Sequence, residues 1–290
     1  MNSPFLFLTE PFLKQQGDLQ LLQASSDYSA VEFPFYVDKG RILSPAKAPF
    51  GSFLFQNEPR PELVSEVLIQ LETLARKEKI QTIQIVFPPD CYQPEINVWL
   101  QPLLVSAGYQ IAWQDLNFHR QLTVPFETGL HRSERWKLRK ALQLGYEFRL
   151  IAKPDWDFTY RFLLESRERK GYRLSMERND LERTFGLFPD AYQLSGVFYQ
   201  DQCVAMALSI LVSEEIEYVF YTADDVHHRK LSPVVLLHQG LANHCREKGV
   251  RMLDLGTSSM KGVVNSGVAT FKRNLGATAS LKSTFQRKLS

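Results

Sequence analysis

Residues 229–256, RKLSPVVLLHQGLANHCREKGVRMLDLG, spell out a long helix and the strand that follows it. Ser232-Pro233 is a helix start: serine suits the N-cap, and proline suits the first helical position, where a missing N–H costs nothing. Val234, Leu237, Leu241 and Cys245 then recur at the helical period and mark one apolar face. Lys248-Gly249 ends the helix, and RMLDL (251–255) is a short apolar run of the kind that fills a buried strand. A helix feeding directly into a buried strand places the chain in the α/β class.

Working outward, LVSEEIEYVFYTA (211–223) reads as a strand, a turn and a strand, and YQLSGVFYQDQCVAMALSILV (192–212) as a hairpin with Asp201-Gln202 near its turn. Upstream lie a basic helix, HRSERWKLRKALQLG (131–145), a strand, YEFRLI (146–151), and two further helices over 157–171 and 177–188. Downstream come a Gly/Ser/Thr-rich loop over 256–267, a short helix that carries Phe271 and Lys272 and ends near Gly276, and an alternating strand over 277–289.

The first half has the same order. PFGSFLFQN (49–57) alternates like a strand, and Val64, Val67, Leu68, Leu71, Leu74 and Ala75 then mark the buried face of a helix ending near Lys79. TIQIVF (82–87) is a buried strand stopped by Pro88-Pro89, a helix over 95–107 closes at Gly108, and 109–122 is a long strand. Glu78-Lys79 and Glu247-Lys248 end the two long helices 169 residues apart, and Gly108 and Gly276 lie 168 apart. An offset held to one residue across so many elements predicts two copies of one supersecondary unit. The predicted division is 1–124 and 125–290, with the final strand free to join either lobe.

The chain has 290 residues, 44% hydrophobic and 23% charged, with a formal net charge of +2, too small to argue for nucleic acid by itself. The charge is uneven: residues 1–124 hold 9 Lys/Arg and 13 Asp/Glu, the remainder 25 and 19. A mildly basic second half suits an anionic ligand, or simply a solvated surface. Cys91, Cys203 and Cys245 have no C-x-x-C spacing, which predicts reduced thiols and a cytoplasmic setting. MNSPFLFLTEPFL (1–13) lacks a basic leader region and reads as a strand or packed arm. No run approaches the ~18 apolar residues that a membrane span needs. Metalloprotease, P-loop, nucleophile-elbow and dinucleotide motifs are absent, and His238 and His244 are wrongly spaced to share a metal.

The order of helices, hairpin, strand, long helix, strand and closing β-α piece resembles the acyl-CoA N-acyltransferase (GNAT) superfamily. The wording of four stretches is similar to its FemAB-like branch: SERWKLRKALQLGYEFRL (133–150), GVFYQDQCVAMAL (196–208), 229–256, and GVATFKRNLGA (267–277). The resemblance covers the second half well and the first half in outline. It implies two tandem GNAT-like lobes, with mixed, mainly antiparallel sheets flanked by helices. It also implies acyl transfer from acyl-CoA (acetyl-CoA) to an amine of a small molecule or cell-envelope precursor. Peptidoglycan-bridge enzymes of the branch use aminoacyl-tRNA as donor instead, and nucleic acid is a partner here only in that case. A catalytically silent GNAT fold that serves as a binding module is a further alternative.

Candidate residues follow. Arg229, Lys230, Leu231 and Ser232 precede the long helix, whose first N–H groups and dipole favour an anion. In GNAT enzymes the equivalent turn holds the cofactor pyrophosphate. Here Leu231 and Ser232-Pro233 stand where that turn usually carries small, permissive residues. Phe271 and Lys272 match the family's closing Phe-Lys pair, where the lysine lies near the acyl donor. A cation there can stabilise a developing oxyanion, although a solvated lysine on a short helix has the same pattern. Amine acylation also needs a base. Glu217, Tyr221 and Asp224 are candidates, Tyr221 first and Asp224 second, with His227 and His228 in the next turn. Strand alternation puts Glu217, Val219 and Tyr221 on one face. Asp254 lies on the predicted buried strand as a partner for a polar substrate or for the loop after it. The basic helix at 131–140 is either a phosphate contact or a solvated surface; Arg135, Lys137 and Arg139 do not share a face.

Overall fold

The computed structural model describes residues 5–289. Helix α1 (Glu10–Lys14) leads to strands β1 (Gln20–Ser25), β2 (Ala30–Asp38), β3 (Arg41–Ser44) and β4 (Leu54–Gln56), then α2 (Pro61–Lys77), β5 (Thr82–Val86), α3 (Pro94–Ser106) and the long β6 (Gln110–Gln121). Next come α4 (Arg132–Gln143), β7 (Glu147–Leu150), α5 (Trp156–Glu168), α6 (Arg178–Leu187), β8 (Tyr192–Tyr199), β9 (Gln202–Ser213), β10 (Ile216–Asp224), α7 (Pro233–Glu247) and β11 (Met252–Thr257). A small hairpin, β12 (Ser259–Met260) and β13 (Val263–Val264), then α8 (Ser266–Asn274) and β14 (Thr278–Lys288) follow.

Two compact units result. One takes residues up to Asn117 together with Thr257–Asn265 and the tail from Ala279; the other takes Phe118–Gly256 and Ser266–Thr278. Set beside the expected division at 124/125, the chain leaves the first unit inside β6, and the segment after β11 returns to it. The final strand joins the first unit, where β14 pairs antiparallel with β5, Phe285 opposite Ile85.

In the first unit, β1, β2 and β3 form antiparallel ladders and β3 pairs parallel with β5. Val64, Val67, Leu71 and Ala75 of α2 are fully buried, as their spacing requires, against Ile83, Ile85, Phe33 and Phe87. The expected strand at 49–57 is reduced to Leu54–Gln56. Residues 1–4 of the expected N-terminal arm lie outside the described residues. From Phe5 onward the arm is helical rather than a strand, a 3-10 turn at Leu6–Leu8 followed by α1, and it buries Phe5, Phe7, Leu8, Phe12 and Leu13.

In the second unit, β7, β8, β9 and β10 are antiparallel neighbours, and β10 pairs parallel with β11 after the α7 crossover. The end of β6 adjoins β11. Gln200 and Asp201 both have positive φ, the conformation of a two-residue hairpin turn between β8 and β9. The loop expected over 256–267 contains the β12–β13 hairpin. Pro233 opens α7 as expected. Ser232 does not cap it with its side chain, because it is held in the left-handed region at φ 45°.

Candidate active site

The second unit's parallel pair opens partway along. β10 and β11 are in register from Ile216↔Met252 to Tyr218↔Asp254, yet β10 runs on to Asp224 and β11 to Thr257. Just past the last shared pair, β10 has a bulge against β9: Val219 faces Ser209 and Tyr221 faces Leu208, which leaves Phe220 extra. A bulge bends its strand and re-aims side chains. Here it sits where β10 parts from β11, so a stretch of backbone donors and acceptors faces a gap rather than a neighbouring strand. Such an edge takes an extended ligand by main-chain hydrogen bonding.

Side chains fill the β11 side of the gap. Gly256 adopts φ 76°, a conformation open to glycine, and an added Cβ would lie 3.1 Å from the Tyr218 ring. Its N–H donates to Asp254 Oδ1 at 2.8 Å, and its carbonyl accepts from Lys272 Nζ at 2.9 Å. The Lys272 stem is partly exposed while its ammonium is enclosed. Burial pulls that ammonium down to about 8; attraction to Asp254 opposes the shift and Arg167 adds to it. Burial likewise raises the Tyr218 phenol, helped by the Asp254 charge.

Arg167 of α5 comes from the other wall. Its guanidinium lies 4.9 Å from the Tyr221 ring centroid and 5.9 Å from that of Tyr172. Among the described residues it makes no ion pair, so stacking holds it with its donors open. His119, at the end of β6, is 8% exposed and its Nδ1 has no hydrogen-bond partner among the described residues. Burial lowers its imidazole, opposed by Asp254. Arg167, Tyr218 and His119 are functional candidates that the sequence did not offer.

The structure separates the predicted residues. Tyr221 is buried; its hydroxyl lies 2.6 Å from Ser175 Oγ and accepts the Ser175 N–H at 3.1 Å. Glu217 does not share its setting, because the bulge breaks the alternation: Tyr221 lies beneath α5, while Glu217 lines a cavity with the end of α7. Asp224 is not a free base. Its carboxylate accepts from Lys170 Nζ at 2.7 Å and Arg229 Nε at 2.8 Å. Burial opposes the charge, but those two hydrogen bonds outweigh it and hold the carboxyl below its ordinary value. Phe271 meets the His238 ring edge-on, beside Lys272 in sequence. His228 bonds the Tyr146 hydroxyl at 2.6 Å.

The turn ahead of α7 was the expected pyrophosphate site, and it does not offer the row of free amides that such a group needs. Val226–Leu231 is a 3-10 helix. The N–H groups of His227 and His228 go to Asp225 and that of Ser232 goes to Arg229. Pro233 has no N–H, and Arg229 is held by Asp224. Lys230 remains exposed and Leu231 half-buried. Among the described residues, no group of three His, Cys, Asp or Glu is placed to hold a metal ion, and no helix is long and apolar enough to cross a membrane.

Residues 131–273 match the family model described as Acetyltransferase (GNAT) domain. No curated protein matches the chain. Among solved structures the chain is similar to FemX, with 15% identity and a TM-score of 0.70, covering 98% of this chain and 92% of that one. It is also similar to the C-terminal domain of a putative lysylphosphatidylglycerol synthetase from Agrobacterium fabrum, with 14% identity, a TM-score of 0.62 and coverage of 96% and 86%. A tandem GNAT protein from the clavulanic acid biosynthesis pathway matches with 14% identity, a TM-score of 0.51 and coverage of 91% and 84%. At these identities the likeness is one of fold. The opened β10–β11 pair and the long α7 crossover thus lie within the stretch 131–273 that matches the acetyltransferase (GNAT) domain model, in a chain whose fold is similar to those of FemX and of the tandem GNAT protein.

Proposed function

We propose that this protein is an N-acyltransferase that moves an aminoacyl group from aminoacyl-tRNA to an amine acceptor, with the gap between β10 and β11 as its reaction centre. The observation that carries the choice of donor is the turn ahead of α7: its amides are satisfied internally and Arg229 is committed to Asp224, so it is poorly suited to a coenzyme pyrophosphate. The fold likeness to FemX and to the lysylphosphatidylglycerol synthetase domain points the same way.

The face of α4 supports a nucleic-acid donor. Arg132, Trp136, Arg139 and Lys140 fall at i, i+4, i+7 and i+8, so they share one side of the helix, and all four are exposed, Trp136 at 56%. The acid on this helix, Glu134, is buried and pairs with Lys137 at 2.9 Å, leaving the exposed face wholly basic around an aromatic ring. Cations supply phosphate contacts and an indole supplies a stacking surface for an unpaired base.

In the reaction, the acceptor nitrogen attacks the ester carbonyl of the aminoacyl group. The N–C bond forms, the ester C–O bond breaks, and the proton lost by the amine goes to the departing ribose oxygen. Lys272, as an ammonium, stabilises the oxyanion, and Asp254 and the Gly256 carbonyl orient it. Open N–H groups of β10 beyond Tyr218 fix the donor chain. The Tyr221 hydroxyl, coupled to Ser175, is the proton-handling group on β10, and Phe271 shapes the wall beside Lys272. The test is calorimetric titration with acetyl-CoA and, separately, with aminoacyl-tRNA. Saturable binding of aminoacyl-tRNA alone fits the reading. Saturable acetyl-CoA binding, weakened by Arg229→Ala, restores the coenzyme donor and overturns it.

A further inference from the structure

The end of β6 brings a further group to the place where β10 and β11 part. The Leu122 N–H donates to the Arg251 carbonyl at 2.7 Å and the Ser258 N–H to the Leu116 carbonyl at 2.7 Å, so β6 and β11 run antiparallel. Three residues back from Leu122 and three on from Arg251, His119 lies opposite Asp254. On its other side Asp254 is paired with Tyr218 of β10. Residues opposite one another share a face of the sheet, about 4.5–5.5 Å apart. Tyr218, Asp254 and His119 therefore form a row across three strands, at the level where the gap begins. The pull of the Asp254 charge on the His119 ring agrees with that register.

His119 is 8% exposed, and its ring makes no hydrogen bond or ion pair among the described residues; its Nδ1 is wholly enclosed. A buried imidazole left unmatched is costly unless its role lies outside the fold. The groups around it are committed. Lys272 donates to the Gly256 carbonyl, and Asp254 accepts the Gly256 N–H. The Tyr218 phenol holds its proton, since burial raises it. Arg167 is a permanent cation. Burial keeps the His119 ring uncharged near neutral pH, so it carries a lone pair that can take a proton.

An acceptor amine arrives from neutral water as an ammonium, which has no lone pair to attack with. Arg167 already repels the Lys272 ammonium, and a third cation beside them is disfavoured, which loosens the acceptor's extra proton. We infer that His119 takes this first proton from the acceptor nitrogen, with Asp254 as the counter-charge of the imidazolium formed. One ammonium N–H bond breaks, one imidazolium N–H bond forms, and the freed lone pair attacks the acyl carbonyl. The second proton goes to the departing group, and the imidazolium returns its proton to water after the product leaves. The inference rests on acyl transfer at the gap and holds for either donor.

The experiment has two arms, both on the full chain. In the first, the wild type with carbon-13-labelled histidine is followed by NMR at neutral pH, the His119 ring assigned by through-bond correlation from its own backbone. The expected signal is that of a neutral imidazole, moving saturably with ethylamine and staying still with ethanol. A charged ring, or one that ethylamine leaves unmoved, overturns the inference. In the second arm, transfer to ethylamine is compared with transfer to 2,2,2-trifluoroethylamine, which is largely unprotonated at neutral pH. His119→Gln should slow transfer to ethylamine about 10²-fold or more and slow transfer to the fluorinated amine far less. Imidazole added to His119→Ala should restore part of the rate. Equal losses with both amines mark a structural histidine and overturn the inference while acyl transfer stands. No transfer by the wild type, from either donor to either amine, ends the acyl-transfer reading and the inference with it.

Discussion

Lys272 reaches back sixteen residues to donate to the Gly256 carbonyl at 2.9 Å, just past the point where β10 and β11 cease to pair. The bond places an ammonium beside an open strand edge, with Asp254 as its counter-charge. Its burial lowers the pKa to about 8, so the cation that would stabilise an oxyanion is lost as pH rises through that value. Transfer rate should be level below pH 8 and fall above it, and Lys272→Ala should lower kcat about 10²–10³-fold, the usual cost of removing one oxyanion donor. The pH–rate profile of Lys272→Arg checks the assignment: arginine stays charged, so the fall near pH 8 should vanish.

Gly256→Ala tests the geometry around that bond. Alanine is strained at φ 76°, and its methyl would stand 3.1 Å from the Tyr218 ring. The variant should lose more than about 1 kcal/mol of stability, measured by urea unfolding, and lose activity as the Lys272 acceptor shifts.

Asp224 is tied to Lys170 and Arg229 and should behave as a structural ion pair. Asp224→Asn should cost about 1–3 kcal/mol near neutral pH. Its folded-state pKa is depressed, so the wild-type advantage is present above the unfolded-state value and is lost as pH falls through the folded one. Unfolding curves of wild type and variant should therefore converge in acid. A loss of turnover with unchanged stability would instead return Asp224 to catalysis.

The α4 face predicts a salt effect. Replacing Arg132, Arg139 or Lys140 by alanine should each reduce the slope of log affinity for tRNA against log salt by about 1. Trp136→Ala should weaken binding with little change in slope, because stacking releases no counterions. Filter binding over a salt series separates the two effects.

Much of the second unit was legible because its elements carry complete local signals. Ser232-Pro233, the apolar stripe to Cys245 and Gly249 bound α7 within a residue, and alternation marks β8 to β10. Strands β1 to β3 were not found: Pro34 interrupts β2, and polar residues alternate weakly along β1. The bulge at Phe220 has no local signal, since alternation assumes an unbroken pleat, and Glu217 and Tyr221 were therefore grouped wrongly. Lys272 and Asp254 were visible as residues. What joins them to Arg167, Tyr218 and His119 is the parting of two strands, a tertiary fact that no spacing encodes. Arg167 had one available clue, a basic residue one turn after buried Leu163 and next to buried Ser166, near the end of α5.

Aminoacyl transfer at the gap beside Lys272 is open to a direct test. The direct measurement is single-turnover transfer of radiolabelled amino acid from a mixture of aminoacyl-tRNAs to amine acceptors, run beside labelled acetyl-CoA with wild type and Lys272→Ala. The predicted result is amide-linked label from the aminoacyl-tRNA pool, stable to base, abolished by the substitution, and absent with acetyl-CoA. Transfer from acetyl-CoA alone, or aminoacyl transfer that Lys272→Ala leaves untouched, would contradict it.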